Sequence, residues 1–187
     1  MRVVTSNMES LGELAAIRNG DARAFERYFR AWYPRLSEHA AHLLHNRDAA
    51  EDAVQEVFIA LWRGRAALPD ADRIGAYLHR AVRNRALNQL RGPDRTEVLR
   101  DEDDSRLATA PMIPSEFEAA DLANAVDAVL ATLGRRARET FLLSRESGLT
   151  YSEIAEATGV SIKTVETVMG HALKVLRERL ALRRLSG

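Results

Sequence analysis

Apolar residues recur every three or four positions along most of this chain, and the two-residue alternation of half-buried strands is nearly absent. That period is typical of amphipathic helices and predicts an all-α protein. The predicted helices span about 22–45, 48–64, 74–91, 116–133 and 135–146, followed by two closely spaced helices after residue 150. No internal repeat is present.

Capping and breaking residues set the expected ends of the first helices. Asp21, directly after an Asn-Gly turn, is placed to cap the first long helix. Pro34 removes a backbone donor inside that helix, so we expect a kink or a division there. Asp48 and Glu51 have the spacing of a capping box for the next helix. Gly92 with Pro93 stops the last helix of the first block.

The stretch from residue 93 to 115 differs from both flanks. It contains three prolines, an acidic run at 101–104 and no sustained apolar period. Such a composition favours a flexible linker. The expected architecture is therefore two small all-helical domains, at residues 8–92 and 116–183, joined by a flexible acidic linker at residues 93–115.

Composition narrows the possible classes of protein. The 187 residues include no cysteine, which excludes disulfides and thiolate metal sites. The N-terminus lacks the apolar stretch of a signal peptide, and no window is apolar enough to span a membrane. We therefore expect a soluble, cytoplasmic protein without membrane insertion.

The net charge of zero conceals a segregation along the chain. Residues 1–92 carry 14 Lys and Arg against 11 Asp and Glu, and residues 135–187 carry 10 against 6. Residues 93–134 carry only 3 basic against 10 acidic residues. Two basic ends around an acidic middle would suit a protein that contacts a phosphate backbone.

The second block contains the pattern of a helix-turn-helix. Thr150 and Glu153 have capping-box spacing, Gly159 suits the left-handed turn, and Ser161 can cap the following helix. Five residues of that helix recur on one side and are expected to face inward: Ile162, Val165, Met169, Ala172 and Leu176. The residues expected on its DNA-facing side are Lys163, Thr164, Glu166, Thr167, His171 and Lys174. An ordinary helical hairpin is the alternative, and repressors, activators and sigma factors all use this motif.

The first block carries two further exposed faces. On the helix from residue 74, one face combines amides with guanidiniums and suits unpaired bases and phosphates. Its residues are Arg80, Asn84, Asn88 and Arg91, flanked by Arg83, and Leu87 also falls on this side. The preceding helix presents a patch suited to protein docking, made of Asp52, Gln55, Glu56 and Ile59. Plain solvated surface is the alternative for both faces.

Two sequence segments together resemble the extracytoplasmic-function sigma factors. Asp-Ala-Val-Gln-Glu-Val-Phe at 52–58, Trp62 and the stretch 77–84 are similar to their region 2. The stretches 151–165 and 172–177 resemble their region 4. The resemblance covers about residues 20–92 and 116–182, in the same order and with a short linker.

The resemblance implies a function and partners. It implies a sigma factor that directs core RNA polymerase to promoter DNA and assists strand opening. By position, Asp52, Gln55 and Glu56 match the region that docks on the coiled coil of the polymerase's largest subunit. The loop 66–74 and Asn84 match the part that captures a flipped base of the minus-ten element.

The resemblance also extends to the second promoter element and to regulation. Thr164, Glu166, Thr167 and His171 match positions that contact the minus-thirty-five element. The family often has arginine at the positions of Glu166, Val168 and His171 and a bulkier residue at Gly170, which bears on the promoter sequence read. The resemblance further implies an anti-sigma factor that wraps around the two domains or wedges between them.

Two other functions are compatible with parts of the sequence. A stand-alone regulator would use the helix-turn-helix alone, but it leaves the Asn84 face and the Asp52 patch unexplained. A metal protein would need His39, His42 and His45 near Glu38, yet steps of three place the outer two about 120° apart around a helix. Because the sequence also lacks a phosphate-binding glycine loop and a catalytic triad, we expect no metal, no cofactor and no enzymatic activity.

Overall fold

The computed structural model describes residues 12–91, 126 and 128–184, with side chains described as far as residue 179. This part of the chain is helical and contains no strand, so the all-α prediction is confirmed. The predicted linker at 93–115 and most of the helix predicted at 116–133 lie outside the described residues. The limits proposed from the sequence for the two domains therefore stay predictions.

The described helices form two groups along the chain. The first group is α1 (12–18), α2 (Ala22–Leu44), α3 (Arg47–Arg63) and α4 (Ile74–Arg91), with a 3₁₀ turn at Arg65–Ala67. The second group is α5 (128–131), α6 (Arg135–Arg145), α7 (Tyr151–Thr158) and α8 (Ile162–Arg184).

The first domain is built around one apolar core to which all four of its helices contribute. Its buried members include Leu14, Ile17, Tyr28, Leu36, Val54, Phe58, Leu61, Leu78 and Val82. Phe29 meets Phe58 edge-on at a centroid distance of 4.8 Å, which joins α2 to α3. A Cβ on Gly75 would lie 3.1 Å from the ring of Trp32, so this glycine allows the start of α4 to approach α2 closely.

One of the expected helix caps differs from the structure. Helix α2 begins as predicted, with Asp21 Oδ1 accepting from the backbone N–H groups of Arg23 and Ala24. The helix continues through Pro34 without division, and Tyr28 and Leu36 on either side of the proline are buried in the same core. The prediction that Asp48 caps α3 was wrong. Asn46 is extended and accepts from the Ala49 N–H at 3.1 Å, which leaves Asp48 in the first turn.

The helix-turn-helix is confirmed in its local geometry. The capping box is complete, since the Glu153 N–H donates to Thr150 Oγ1 and the Thr150 N–H donates to Glu153 Oε2. Gly159 ends α7 with a φ of 76°, in the left-handed region. Ser161 Oγ accepts from the Thr164 N–H at 3.1 Å and caps α8.

Helix α8 contacts its domain along one stripe. Of the residues predicted to face inward, four are buried: Val165, Met169, Ala172 and Leu176. The expectation for Ile162 was wrong, because its side chain is 48% exposed. In the apolar cluster beneath α7, the first residue of α8 is Val165. Ile162, one turn earlier, does not belong to this cluster.

Candidate nucleic-acid interface

The exposed face predicted on α4 is present. Arg80, Asn84, Asn88 and Arg91 are all exposed on this helix. Leu87, expected on the same side, is buried at 7% exposure. The structure therefore presents two amides and two guanidiniums to solvent on one helix.

Arg83 has a different environment from the four residues of this face. Its side chain is 22% exposed, and its Nε donates to Glu139 of α6 at 2.8 Å. A carboxylate of the second domain therefore holds this guanidinium. This contact could not be predicted from the sequence, because the two residues lie 56 positions apart.

The loop between the 3₁₀ turn and α4 is anchored by Arg18 of α1. Its Nη2 lies 2.8 Å from the Leu68 carbonyl oxygen, 2.9 Å from that of Pro69 and 3.0 Å from Asp70 Oδ1. Leu68 is itself buried. This loop is the segment that the family resemblance associates with base capture, and Arg18 was missed because its partners are 50 or more positions away.

The patch predicted on α3 lies beside an open apolar groove. Asp52, Gln55, Glu56 and Ile59 are exposed, and Glu56 pairs with Arg85 of α4. The groove has a volume of about 710 Å³. It is lined by Ala22, Phe25, Phe29, Gln55, Phe58, Ile59, Trp62 and Arg63. Because Ile59 is 51% exposed at its edge, an acidic patch and an apolar surface adjoin here.

On α8, most of the predicted DNA-facing residues are exposed, namely Lys163, Glu166, Thr167, His171 and Lys174. Thr164 is half-buried, and its hydroxyl shares a 2.8 Å hydrogen bond with Ser161 Oγ at the helix cap. The Thr167 hydroxyl donates to the Lys163 carbonyl at 2.9 Å. Both threonine hydroxyls thus make local contacts. A Cβ on Gly170 would meet nothing within 4 Å, which leaves the helix backbone open at that point.

The two domains contact each other where α4 packs against α7 and, beside this, through a buried polar cluster, hereafter the Glu139 cluster. It consists of Glu139 with Arg83, His39 and His79. The Glu139 side chain is 5% exposed, and its Oε1 lies 3.4 Å from His39 Nε2. His39 Nδ1 lies 3.1 Å from His79 Nδ1. At the edge of the same contact, the exposed pair Arg73 and Glu156 is 2.8 Å apart.

Burial and pairing act in opposite directions on Glu139. Burial raises the pKa of this carboxyl, whereas the hydrogen bond from His39 and the charge of Arg83 lower it, and the net shift is below the ordinary value. Glu139 is therefore an ionised carboxylate at neutral pH. It is compensated by donors that come from the first domain.

The three histidines near the end of α2 line one cavity but have different environments. His39 is buried in the Glu139 cluster, His45 is exposed, and His42 lies 3.6 Å from Glu146 Oε2. In the described part of the chain, potential metal ligands within 4.8 Å of one another come from Glu38, His42 and Glu146. Of the three histidines, His42 belongs to that group, whereas His39 and His45 do not.

Two family models match the chain, each at one of the helical domains. Residues 28–96 match Sigma-70 region 2, and residues 123–176 match Sigma-70, region 4. Among curated proteins, the ECF RNA polymerase sigma factor SigK of Mycolicibacterium vanbaalenii is 23% identical over 96% of this chain and 92% of its own length. The RNA polymerase sigma-E factor of Streptomyces coelicolor is 28% identical over 89% of this chain and 91% of its own length. The chain belongs to the extracytoplasmic-function sigma factors.

Solved structures of similar fold agree with this assignment. The sigma factor RpoE, in a co-crystal structure with the anti-sigma factor NepR from Bartonella quintana, is 25% identical with a TM-score of 0.63. That match covers 86% of this sigma factor and 98% of the RpoE chain. CnrH, solved in complex with the cytosolic domain of CnrY, shares the fold with a TM-score of 0.64 at 24% identity, over 92% of this chain and 97% of CnrH.

Family membership gives this sigma factor its general role. It acts in the initiation of transcription, with core RNA polymerase and promoter DNA as its partners. None of the described helices combines the length and the apolar character needed to cross a lipid bilayer.

Proposed function

We propose that this sigma factor docks on core RNA polymerase through α3, binds the minus-ten element through α4 and the preceding loop, and binds the minus-thirty-five element through α8. The observation that carries the proposal is the simultaneous exposure of three chemically different surfaces on three helices. The first domain would extend over residues 8–92 and the second over 116–183.

The docking surface on α3 combines charge with apolar area. Asp52 and Glu56 supply negative charge, while Ile59 and the adjoining aromatic groove supply apolar surface. Protein–protein interfaces typically have an apolar centre and a polar rim. A partner with basic residues around an aliphatic side chain would fit, and the coiled coil of the largest polymerase subunit is the expected one.

The minus-ten surface suits unpaired bases. Asn84 offers both a donor and an acceptor to a base edge, and Arg80 and Arg91 are exposed on the same helix to meet phosphates. Separating two stacked base pairs costs about 1.4 kcal/mol per step, so each captured base offsets part of the opening cost. The loop anchored by Arg18 would hold its shape while a base is received.

The minus-thirty-five surface on α8 lacks several arginines that are common in the family. Glu166 can accept from the exocyclic amine of cytosine, whereas Lys163 and Lys174 would contact phosphates irrespective of sequence. The proposed contacts on α8 also include Thr164, Thr167 and His171, and those on α4 also include Arg83 and Asn88. The two threonines would have to exchange their local hydrogen bonds for contacts with DNA.

We further infer that the protein works by binding alone, without catalysis or cofactor, in the cytoplasm. Both structural neighbours were solved with a partner protein, and the partner of RpoE is an anti-sigma factor. An anti-sigma factor that covers or separates the two domains is therefore proposed here as well. A stand-alone regulator would shift duplex DNA without polymerase, whereas this protein should bind it poorly alone.

The docking assignment is tested by reversing charge on α3. The double variant Asp52→Lys and Glu56→Lys should lose binding to core polymerase and run-off transcription, because its patch would repel a basic partner. Glu38→Lys with Glu178→Lys makes the same change in net charge at exposed positions outside the patch and serves as the matched control. Equal polymerase affinity for the two double variants, with helical content preserved, would contradict the assignment.

A further inference from the structure

We propose that Glu139 is an intramolecular latch, which holds the two domains together and occupies Arg83 in place of a nucleic-acid phosphate. Arg83 belongs to the surface assigned above to the minus-ten element, so the inference rests on the proposed function. The latch must open before Arg83 can meet DNA.

The latch is a charge pair enclosed by protein. Glu139 Oε1 accepts from Arg83 Nε at 2.8 Å, and the two side chains are only 5% and 22% exposed. Removing one member of an enclosed ion pair leaves the other charge uncompensated, which is costly. Breaking the pair therefore costs free energy unless water or another ion solvates each charge. Separating the domains would expose both side chains to water.

His39 and His79 direct a second donor to the same carboxylate. Burial, together with the charges of His39 and Arg35, lowers the pKa of His79 to about 3, so this imidazole is neutral. His39 Nδ1 lies 3.1 Å from His79 Nδ1, and His39 Nε2, which lies 3.4 Å from Glu139 Oε1, can donate its hydrogen to this carboxylate. Two residues of the first domain thus aim donors at one carboxylate of the second.

A second basic residue beside the minus-ten surface is paired in the same way. Arg73, at the end of the loop anchored by Arg18, contacts Glu156 of α7 at 2.8 Å. This pair is exposed, and exposed pairs contribute little to stability. The pattern is nevertheless the same, with a second-domain carboxylate held where a phosphate would otherwise be. Except for the half-buried Thr164, the predicted DNA-facing residues of α8 are exposed in this arrangement, so closure affects the first domain's surface selectively.

Domain separation can be measured directly by fluorescence energy transfer. Because the chain has no cysteine, Ala31→Cys on α2 and Ser152→Cys on α7 provide two exposed labelling positions. Glu139→Gln keeps the shape of the side chain but removes its charge, and it should shift the labelled protein toward low transfer efficiency. Glu156→Gln is the matched control and should stay close to wild type, because its pair is exposed.

Nucleic-acid binding is measured on the same proteins with a random-sequence single-stranded DNA. Glu139→Gln should bind it several-fold more tightly than wild type, since a larger share of molecules is open. Glu139→Asp keeps the charge but withdraws the carboxylate oxygens from Arg83, and its affinity for DNA should lie between those of wild type and Glu139→Gln. It replaces Glu139→Gln as the test variant if that protein loses helical content.

The possible outcomes separate the latch from the proposed function. Unchanged transfer efficiency in both Glu139 variants would overturn the latch. Lower efficiency without tighter DNA binding would overturn the role assigned to Arg83 in the latch. The proposed function is judged separately, by run-off transcription with core polymerase, in which the wild-type protein must support initiation whatever the Glu139 variants do.

Discussion

His79 shows how strongly one residue can be constrained by its surroundings. Its side chain has no exposed surface, its Nδ1 lies against His39, and Trp32 packs edge-on against its ring. Its Nε2 has no hydrogen-bond partner among the described residues. A charged imidazole there would lack solvent and would face the charges of His39 and Arg35, so the folded protein holds this side chain neutral at neutral pH.

This constraint predicts a pH dependence of stability. The pKa of His79 is about 3 in the folded protein and about 6.5 when unfolded. Between these two pH values His79 is protonated in the unfolded chain but neutral in the folded chain. Stability is therefore retained above pH 6.5 and lost as the pH falls. We expect His79 to account for about 2 kcal/mol of lost unfolding free energy between pH 7 and pH 5.

Urea unfolding of wild type and His79→Asn at the two pH values checks this expectation. Asparagine can place a polar atom near Nδ1 but does not titrate, so the variant should lose about 2 kcal/mol less than wild type over this interval. The histidines that do not contact residue 79 are common to both proteins and cancel in the difference, and His39, which loses its imidazole neighbour in the variant, contributes the remaining change. Parallel losses would show that His79 is protonated as readily in the folded state as in the unfolded one.

At the scale of elements, local sequence determined what could be predicted. The ends of α2 and α7 and the turn before α8 follow from residues within four positions of one another, and these predictions were confirmed. The start of α3 was missed because Asn46 and Asp48 both suit a cap, and only the backbone conformation distinguishes them. Arg18 was missed for another reason, since its contacts close a loop of about fifty residues.

Helix α4 divides its residues between two tasks, and this division predicts the effect of Asn84→Ala. Leu78 and Val82 are buried in the core, whereas Asn84 is exposed. The substitution should leave the fold and polymerase binding unchanged yet reduce promoter opening, detected by permanganate footprinting. Part of the defect should persist on a pre-melted template, because the proposed base capture would itself be lost.

The control for this prediction is Gln89→Ala, an exposed amide on another side of the same helix. It should open promoters as wild type does, because it lies off the proposed base-reading face. Normal permanganate reactivity in Asn84→Ala would instead assign Asn84 to plain solvated surface.

At the scale of the whole molecule, the arrangement of the domains was beyond sequence reasoning. The charge segregation along the chain suggested two basic domains available to DNA, but the structure pairs basic residues of the first with acidic residues of the second. Contacts such as Arg73 with Glu156, 83 positions apart, leave no local pattern. Periodicity identifies which faces are polar, and it carries no information on which polar faces meet.

The proposed assignment of the two domains to the two promoter elements requires that this contact be broken. The two elements are centred about 25 base pairs apart, which is about 85 Å of duplex at 3.4 Å per base pair. Two domains in direct contact cannot occupy both elements on straight duplex DNA. The predicted linker at residues 93–115, fully extended, could reach about 75 Å and would allow most of that separation.

Tying the domains together should therefore abolish promoter use. Arg73→Cys with Glu156→Cys introduces the only two thiols in the chain, at an interdomain pair whose side chains meet at the surface. Joined by a short bismaleimide, the protein should retain the docking surface on α3 and bind core polymerase, yet give only background run-off transcription. The same variant capped with N-ethylmaleimide has the same substitutions without the tie, and it should transcribe. Equal transcription from the tied and the capped protein would mean that the closed arrangement is compatible with initiation, and the requirement for separation would then be wrong.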